Sequence, residues 1–184
     1  MSDQTGARRL PGDPSPKAMI ERIIRVDQAG EYGAKRIYDG QLAVLGRGAH
    51  GPAIRNMAAQ EQKHLDAFNR LMVERRARPT VLSPLWHVAG FALGAGTALM
   101  GPRAAMACTV AVEEAIVEHY ARQAAYLGPD QADLKATVES ARADELAHKE
   151  TAIAAGAEHA AGYDGLSFTI KRGTKLAIWL SERI

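Results

Sequence analysis

The 184-residue chain has a single cysteine, Cys108, so no disulfide can close within it, which fits a reducing compartment. Only three phenylalanines are present, and 23 Lys and Arg nearly balance 21 Asp and Glu without any long basic run. Base-stacking platforms and phosphate-tracking stripes are thus poorly supplied, and nucleic acid is not an expected partner. The longest apolar run, residues 88–100, is too short to span a bilayer. Residues 1–17 mix acids, Pro and Gly with Arg8 and Arg9, and have neither the apolar stretch of a secretory signal nor the composition of an organellar presequence. No Gly-x-Gly-x-x-Gly fingerprint stands between a strand and a helix, because no stretch alternates convincingly as a strand.

Helical periodicity is abundant instead. Residues 1–15 read as a disordered arm. Ser15-Pro16 then supplies an N-cap and first-turn pair, after which Ile20, Ile23, Ile24, Glu31, Ala34, Ile37 and Tyr38 recur at helical spacing as far as about Leu45. A second periodic segment carries Ile54, Met57, Glu61, His64, Leu65, Phe68 and Leu71 to about Arg76. Ser83-Pro84 opens an apolar segment at about 84–100, punctuated by Gly90, Gly94 and Gly96. Gly101-Pro102 starts a third long helix with Val112, Glu113, Ile116 and Tyr120. A fourth carries Leu134, Val138, Glu145 and His148 to about Ala160, and a terminal helix at about 166–182 sets Ile170, Leu176 and Leu180 opposite Lys171 and Lys175. The expected fold is all-α: one domain over 16–184, a ferritin-like four-helix bundle of two hairpins, with an extra apolar helix between them and an amphipathic helix at the C-terminus.

The two hairpins repeat one another. Aligning Glu31 with Glu113 also aligns Tyr38 with Tyr120 and Gln41 with Gln123, whereas aligning it with Glu114 loses both matches. Each half then places a lone Glu on its first helix and Glu-x-x-His on its second, Glu61 with His64 and Glu145 with His148. Residues three apart share a helix face, so the six side chains Glu31, Glu61, His64, Glu113, Glu145 and His148 converge on the constellation of di-iron and di-manganese carboxylate bundles. Four buried carboxylates cost several kcal/mol each when unpaired, and two divalent cations cancel their charge. Oxygen-rich ligation with one imidazole per ion suits iron or manganese. His50, His87 and His159 have no such setting and read as surface or loop residues. Gly30 and Gly33 bracket Glu31 in mid-helix at about 1 kcal/mol each relative to Ala; they serve either to leave room beside the metals or to pack a helix closely. Asp27, one turn before Glu31, either orients a ligating histidine or is a surface acid.

The stretches Arg25-Val26-Asp27-Gln28-Ala29-Gly30-Glu31-Tyr32-Gly33-Ala34, Arg78-Pro79-Thr80, Pro84-Leu85-Trp86, Gly90-Phe91-Ala92-Leu93-Gly94, Cys108-Thr109-Val110-Ala111-Val112-Glu113-Glu114 and Leu180-Ser181-Glu182-Arg183 resemble the demethoxyubiquinone hydroxylases of ubiquinone biosynthesis, over nearly everything from Ile20 onward. The lack of a presequence suggests a bacterial member. The resemblance implies a monooxygenase that uses O2, two electrons and two iron ions to hydroxylate the ring of a demethoxyubiquinone. It places the family's iron ligands on the same six positions, and its electron-transfer His-Tyr pair on His119 and Tyr120, here with Glu118 before the single His. NADH is the implied electron donor, and it would bind without a dinucleotide-binding fold. The substrate is a polyprenylated quinone. Residues 85–100 then either wall its channel or dip into one leaflet, with Trp86 at the interface, or simply cover the bundle or pair with a second subunit of a homo-oligomer. Peripheral attachment at the cytoplasmic face of the inner membrane and a lipid-binding accessory protein of ubiquinone biosynthesis follow from the resemblance. The alternative reading is a ferritin-like protein that oxidises and stores iron, which needs no lipid access.

Overall fold

The structure, a computed structural model, describes residues 12–184; most of the expected arm at 1–15 lies outside the described residues. Six helices follow in order: α1 (Pro16–Leu45), α2 (Gly51–Glu74), α3 (Ser83–Leu99), α4 (Pro102–Tyr126), α5 (Ala132–Ala154) and α6 (Tyr163–Ser181), with no strand among the described residues. Proline opens four of them. Pro16, Pro52, Pro84 and Pro102 sit in first turns, where an amide hydrogen has no helical partner to lose. The Ser15 hydroxyl caps α1 by accepting from the Ala18 amide at 3.1 Å. Periodicity alone carries the fourth long helix to about Ala160, yet α5 stops at Ala154. Gly156 takes φ 88°, a left-handed conformation that ends the helix and turns the chain towards α6.

The hairpins α1–α2 and α4–α5 make the all-α, ferritin-like bundle. Helix α3 lies along α1 and α6 along α4, so these two cover the side of the bundle where α1 and α4 meet. The α1–α3 contact is made by glycines. A Cβ on Gly94 would stand 1.9 Å from the Ile37 carbonyl oxygen, and one on Gly40 would stand 2.2 Å from that of Phe91. Helices this close leave no room for a methyl group at either position.

The core falls into two apolar clusters stacked along the bundle. One holds Ile24, Phe68, Ile116, Leu134 and Val138, and the other Ile54, Met57, Met106, Val110 and Ala152. Between them lies a layer of buried polar side chains that includes Glu31, Glu61, Glu113, Glu145 and His148. Helical spacing accounts for the layering, because each bundle helix is apolar above and below one interior turn that carries its acid.

Candidate metal centre

All six residues selected by the repeat stand together in that layer. Glu31, Glu61, His64 and Glu145 form one cluster whose ligand atoms lie within 4.8 Å of one another, and Glu61, Glu113, Glu145 and His148 form a second. Glu61 and Glu145 belong to both. They are therefore placed to bridge two ions, with Glu31 and His64 on one side and Glu113 and His148 on the other.

The imidazoles are oriented by their outer nitrogens. His64 Nε2 donates to Asp144 Oδ2 at 2.9 Å, and His148 Nε2 donates to Gln60 Oε1 at 2.9 Å. Each Nδ1 consequently points inward: that of His64 lies 3.3 Å from Glu31 Oε2 and 3.2 Å from Glu145 Oε1, and that of His148 lies 3.1 Å from Glu61 Oε1. This fixes the tautomer that offers an inner lone pair to a cation. Gln60 and Asp144 each precede the Glu of their own Glu-x-x-His unit, yet each serves the histidine of the other unit.

Two tyrosines complete the layer in the same crossed manner. The buried Tyr38 hydroxyl donates to Glu113 Oε1 at 2.7 Å, and the Tyr120 hydroxyl donates to Glu31 Oε1. Farther out, Gln41 Nε2 donates to Thr109 Oγ1 at 3.3 Å and Gln123 Nε2 to Asp27 Oδ1 at 2.7 Å. The repeat thus describes an approximate two-fold in which aligned residues exchange partners. It breaks at Asp27 and His119, which align with Thr109 and Ile37. Asp27 is buried, with Oδ1 3.5 Å from His119 Nε2, so it is neither a surface acid nor the partner of a residue in the six-ligand set. His119 also lines a cleft of about 130 Å3 between the start of α1 and the second half of α4. Its ring centre is 6.2 Å from that of Tyr120, which bonds to Glu31.

The donor set fits divalent cations. Six buried polar atoms of these residues have no hydrogen-bond partner: Glu31 Oε2, both Glu61 oxygens, His64 Nδ1, Glu113 Oε2 and Glu145 Oε1. Leaving such atoms unsatisfied is expensive, and ligation satisfies them together. Without metal the charges conflict. Burial raises Glu31, and it raises Glu61 and Glu113 well above the usual carboxylate range, reinforced for all three by repulsion from Glu145. Burial opposes ionisation of Glu145 as well, but the hydrogen bond from His148 and the His64 imidazole 3.2 Å away overcome it and hold that carboxyl at about 2. Burial likewise disfavours the His64 cation, yet Glu145 and Glu31 raise it to about 11.

The remaining candidates lie elsewhere. Glu114 turns outward, its carboxylate meeting Lys149 at 2.9 Å and Lys171 at 3.0 Å. His87 is exposed on α3, where its Nδ1 meets the Tyr32 hydroxyl at 2.5 Å, and no candidate cation cluster among the described residues includes it, His50 or His159.

An apolar cavity of about 220 Å3 adjoins the ligand layer between α1, α3, α4 and α6. Gly30, Gly33 and Ala34 line it from α1, Trp86 and Gly90 from α3, Val112 and Ile116 from α4, and Gly173 and Ala177 from α6. A narrow crevice too tight for water shares Ala34, Ile37 and Val112 with the cavity wall and reaches Glu113. A Cβ on Gly30 or Gly33 would meet nothing within 4 Å, so the side-chain positions of both open onto space. Helices α3 and α6 do not pack on each other; the bond from Trp86 Nε1 to Ser181 Oγ at 3.0 Å ties them beside this cavity.

The chain is similar to known proteins over most of its length. A family described as "Ubiquinone biosynthesis protein COQ7" matches residues 18–181. A 3-demethoxyubiquinol 3-hydroxylase of Rhodospirillum rubrum is 59% identical over 182 residues, covering 98% of this chain and 86% of that protein. NADPH-dependent 3-demethoxyubiquinone 3-hydroxylases, mitochondrial, of Dictyostelium discoideum and Homo sapiens are 54% and 52% identical, covering 91% and 94% of this chain and 79% and 81% of theirs.

Proposed function

The chain belongs to the ubiquinone biosynthesis protein COQ7 family, and we infer that its six-ligand layer is the di-iron centre of a demethoxyubiquinone hydroxylase. The enzyme acts in ubiquinone biosynthesis and adds a hydroxyl group to the substrate ring. The observation that carries the reading is the apolar cavity against the metal-binding layer: an iron store has no use for one, whereas a quinone ring needs it.

When bound, the two ferrous ions supply electrons and Lewis acidity to dioxygen. The protein's part is to hold, orient and exclude. Glu61 and Glu145, common to both clusters, would hold both ions, with Glu31 and His64 serving one and Glu113 and His148 the other. Tyr38 and Tyr120 hold Glu113 and Glu31 by their hydroxyl protons and leave Oε2 of each carboxylate unpartnered, free to ligate an ion when one is bound. The walls made by Ala34, Val112 and Ile116 keep water from the reacting ring. At about 220 Å3 the cavity is smaller than the roughly 300–1,000 Å3 of drug-sized sites. It accommodates the ring, and the polyprenyl tail leaves between α3 and α6.

That exit faces apolar surface. Leu85, Val88 and Leu99 on α3 and Phe168, Leu176 and Trp179 on α6 are exposed, and no described helix is long and apolar enough to cross a membrane. Peripheral attachment at the cytoplasmic face of the inner membrane fits these side chains, as does a lipid-binding accessory protein that delivers the substrate or a second copy of the chain. Electrons come from a reduced nicotinamide. NADH is the donor the resemblance implies, and NADPH stands in the mitochondrial relatives' names. His119 and Tyr120 are placed to carry the electrons, one facing the outer cleft and the other bonded to Glu31.

The test is single turnover: protein loaded anaerobically with ferrous iron, given a short-tailed demethoxyquinol and isotopically labelled dioxygen. The expected product carries one labelled oxygen on the ring. Oxygen consumption with growth of a ferric core and no such product indicates iron storage instead.

A further inference from the structure

The ligand layer has two approaches of opposite character. On the α1–α4 side it is covered by α3, α6 and the apolar cavity. On the α2–α5 side no helix among the described residues covers it, and an open groove of about 650 Å3 runs between α2 and α5, which pack on each other far less closely than on their hairpin partners. Its walls include Gln60, Lys63 and His64 from α2 and Thr137, Ser140 and Asp144 from α5. Exposure falls off inward along this line. The Asp144 side chain is 42% exposed, that of His64, which it contacts, 10%, and that of Glu145 beyond it 1%.

We propose that the α2–α5 groove is the port through which hydrated divalent metal ions reach and leave the layer, at the His64 side first. The proposal rests on the reading of the six residues as metal ligands. A dication carries its water as far as oxygen donors can replace it, and stripping that water in an apolar channel costs far more than any contact there returns. The groove offers a graded exchange: the Gln60 carbonyl, the Thr137 and Ser140 hydroxyls and the Asp144 carboxylate along its walls, then, behind the His64 ring, its inner Nδ1 together with the shared carboxylates Glu61 and Glu145. The cavity on the far side offers alanine, valine, isoleucine and glycine, which suits a lipid ring and not an aquo ion. Metal and quinone thus approach the same layer from opposite faces. His148 has no wall in the groove and is 2% exposed, so its ion arrives by way of the shared carboxylates. Lys63 is the one lysine among the described residues lining the groove, and it slows an approaching dication by repulsion.

The test follows metal exchange in the full-length protein, with no turnover needed. Metal-free protein is mixed with cobalt(II) or ferrous ion in a stopped-flow instrument, and loaded protein is mixed with excess chelator. Thr137→Leu and the exposed Ser140→Trp, which fill the groove, should each slow uptake and release about tenfold while the number of ions bound at equilibrium stays the same. Lys63→Glu should speed uptake severalfold at low ionic strength, with the gain vanishing at high salt. Gly33→Leu, in the cavity opposite, should leave both rates unchanged. Wild-type rates in both groove variants, or slowing by Gly33→Leu instead, would overturn the port. A wild-type chain that binds no stoichiometric metal, or a Glu145→Ala chain that still binds two ions tightly, would overturn the ligand reading itself.

Discussion

Glu61 and Glu145 are the carboxylates common to both candidate clusters, so on the proposed reading losing either would remove an oxygen donor from both ion positions at once. Glu145→Ala is therefore expected to weaken both metal positions, whereas Glu31→Ala weakens only the one it shares with His64. Titration of metal-free protein with ferrous ion, read as ions retained per chain after gel filtration, separates these outcomes. Asp144→Asn keeps a hydrogen-bonding side chain at His64 Nε2 but removes its charge, and Gln60→Ala leaves His148 Nε2 without its partner. Each is expected to lower metal affinity by about 10–100-fold at one position, measured by competition with a chelator. The convergence of the six side chains was legible from spacing alone, because Glu-x-x-His and its upstream Glu recur once in each half. The residues that orient them were not. Tyr38 with Glu113, Tyr120 with Glu31, Gln60 with His148 and Asp144 with His64 all join one half to the other. A repeat shows which residues are equivalent, but not that equivalents trade partners across the interface.

Between helices, glycine plays two opposite parts, and composition could not separate them. Gly94 and Gly40 let α1 and α3 touch backbone to backbone, while Gly33, with nothing within 4 Å of a Cβ built on it, lines the cavity. Gly94→Ala must push the Ile37 carbonyl away, and the expected cost is about 1–3 kcal/mol. Gly33→Ala meets no obstacle and replaces a poor helix former, so the folded state should gain up to about 1 kcal/mol. Thermal denaturation of the two variants should move in opposite directions, by roughly 2–4 °C per kcal/mol for a chain of this size. The four bundle helices were legible because each is long and periodic. The early stop of α5 was not, since it depends on the left-handed turn at Gly156, and periodicity carries no information on backbone conformation. The cavity was legible only as a question about Gly30 and Gly33, because three other helices supply its walls.

At the scale of the whole molecule, the ligand layer makes folding depend on metal and pH together. In metal-free protein Glu31, Glu61 and Glu113 hold protons that the unfolded chain releases above about 4.5, and His64 holds one above 6.5 until about 11. The folded state thus binds more protons than the unfolded one over this range, and stability falls as pH rises. Glu145 acts in the other direction only below 4.5, where its stabilising effect is lost as pH falls towards about 2. The melting temperature of metal-free protein should therefore decline from about pH 5 to pH 8. Ferrous iron should raise it most at the alkaline end, where fewer ligand protons have to be displaced.

The central claim is that one layer serves two faces, with metal held by the repeat and a quinone ring held by the apolar cavity beside it. Hydroxylation by iron-loaded Gly33→Leu protein tests it most directly, because the substitution fills the cavity and touches no ligand. The account predicts two irons per chain as in the wild type, with ring hydroxylation reduced at least about tenfold, roughly 1.4 kcal/mol in the barrier. Wild-type hydroxylation with the cavity filled would contradict it.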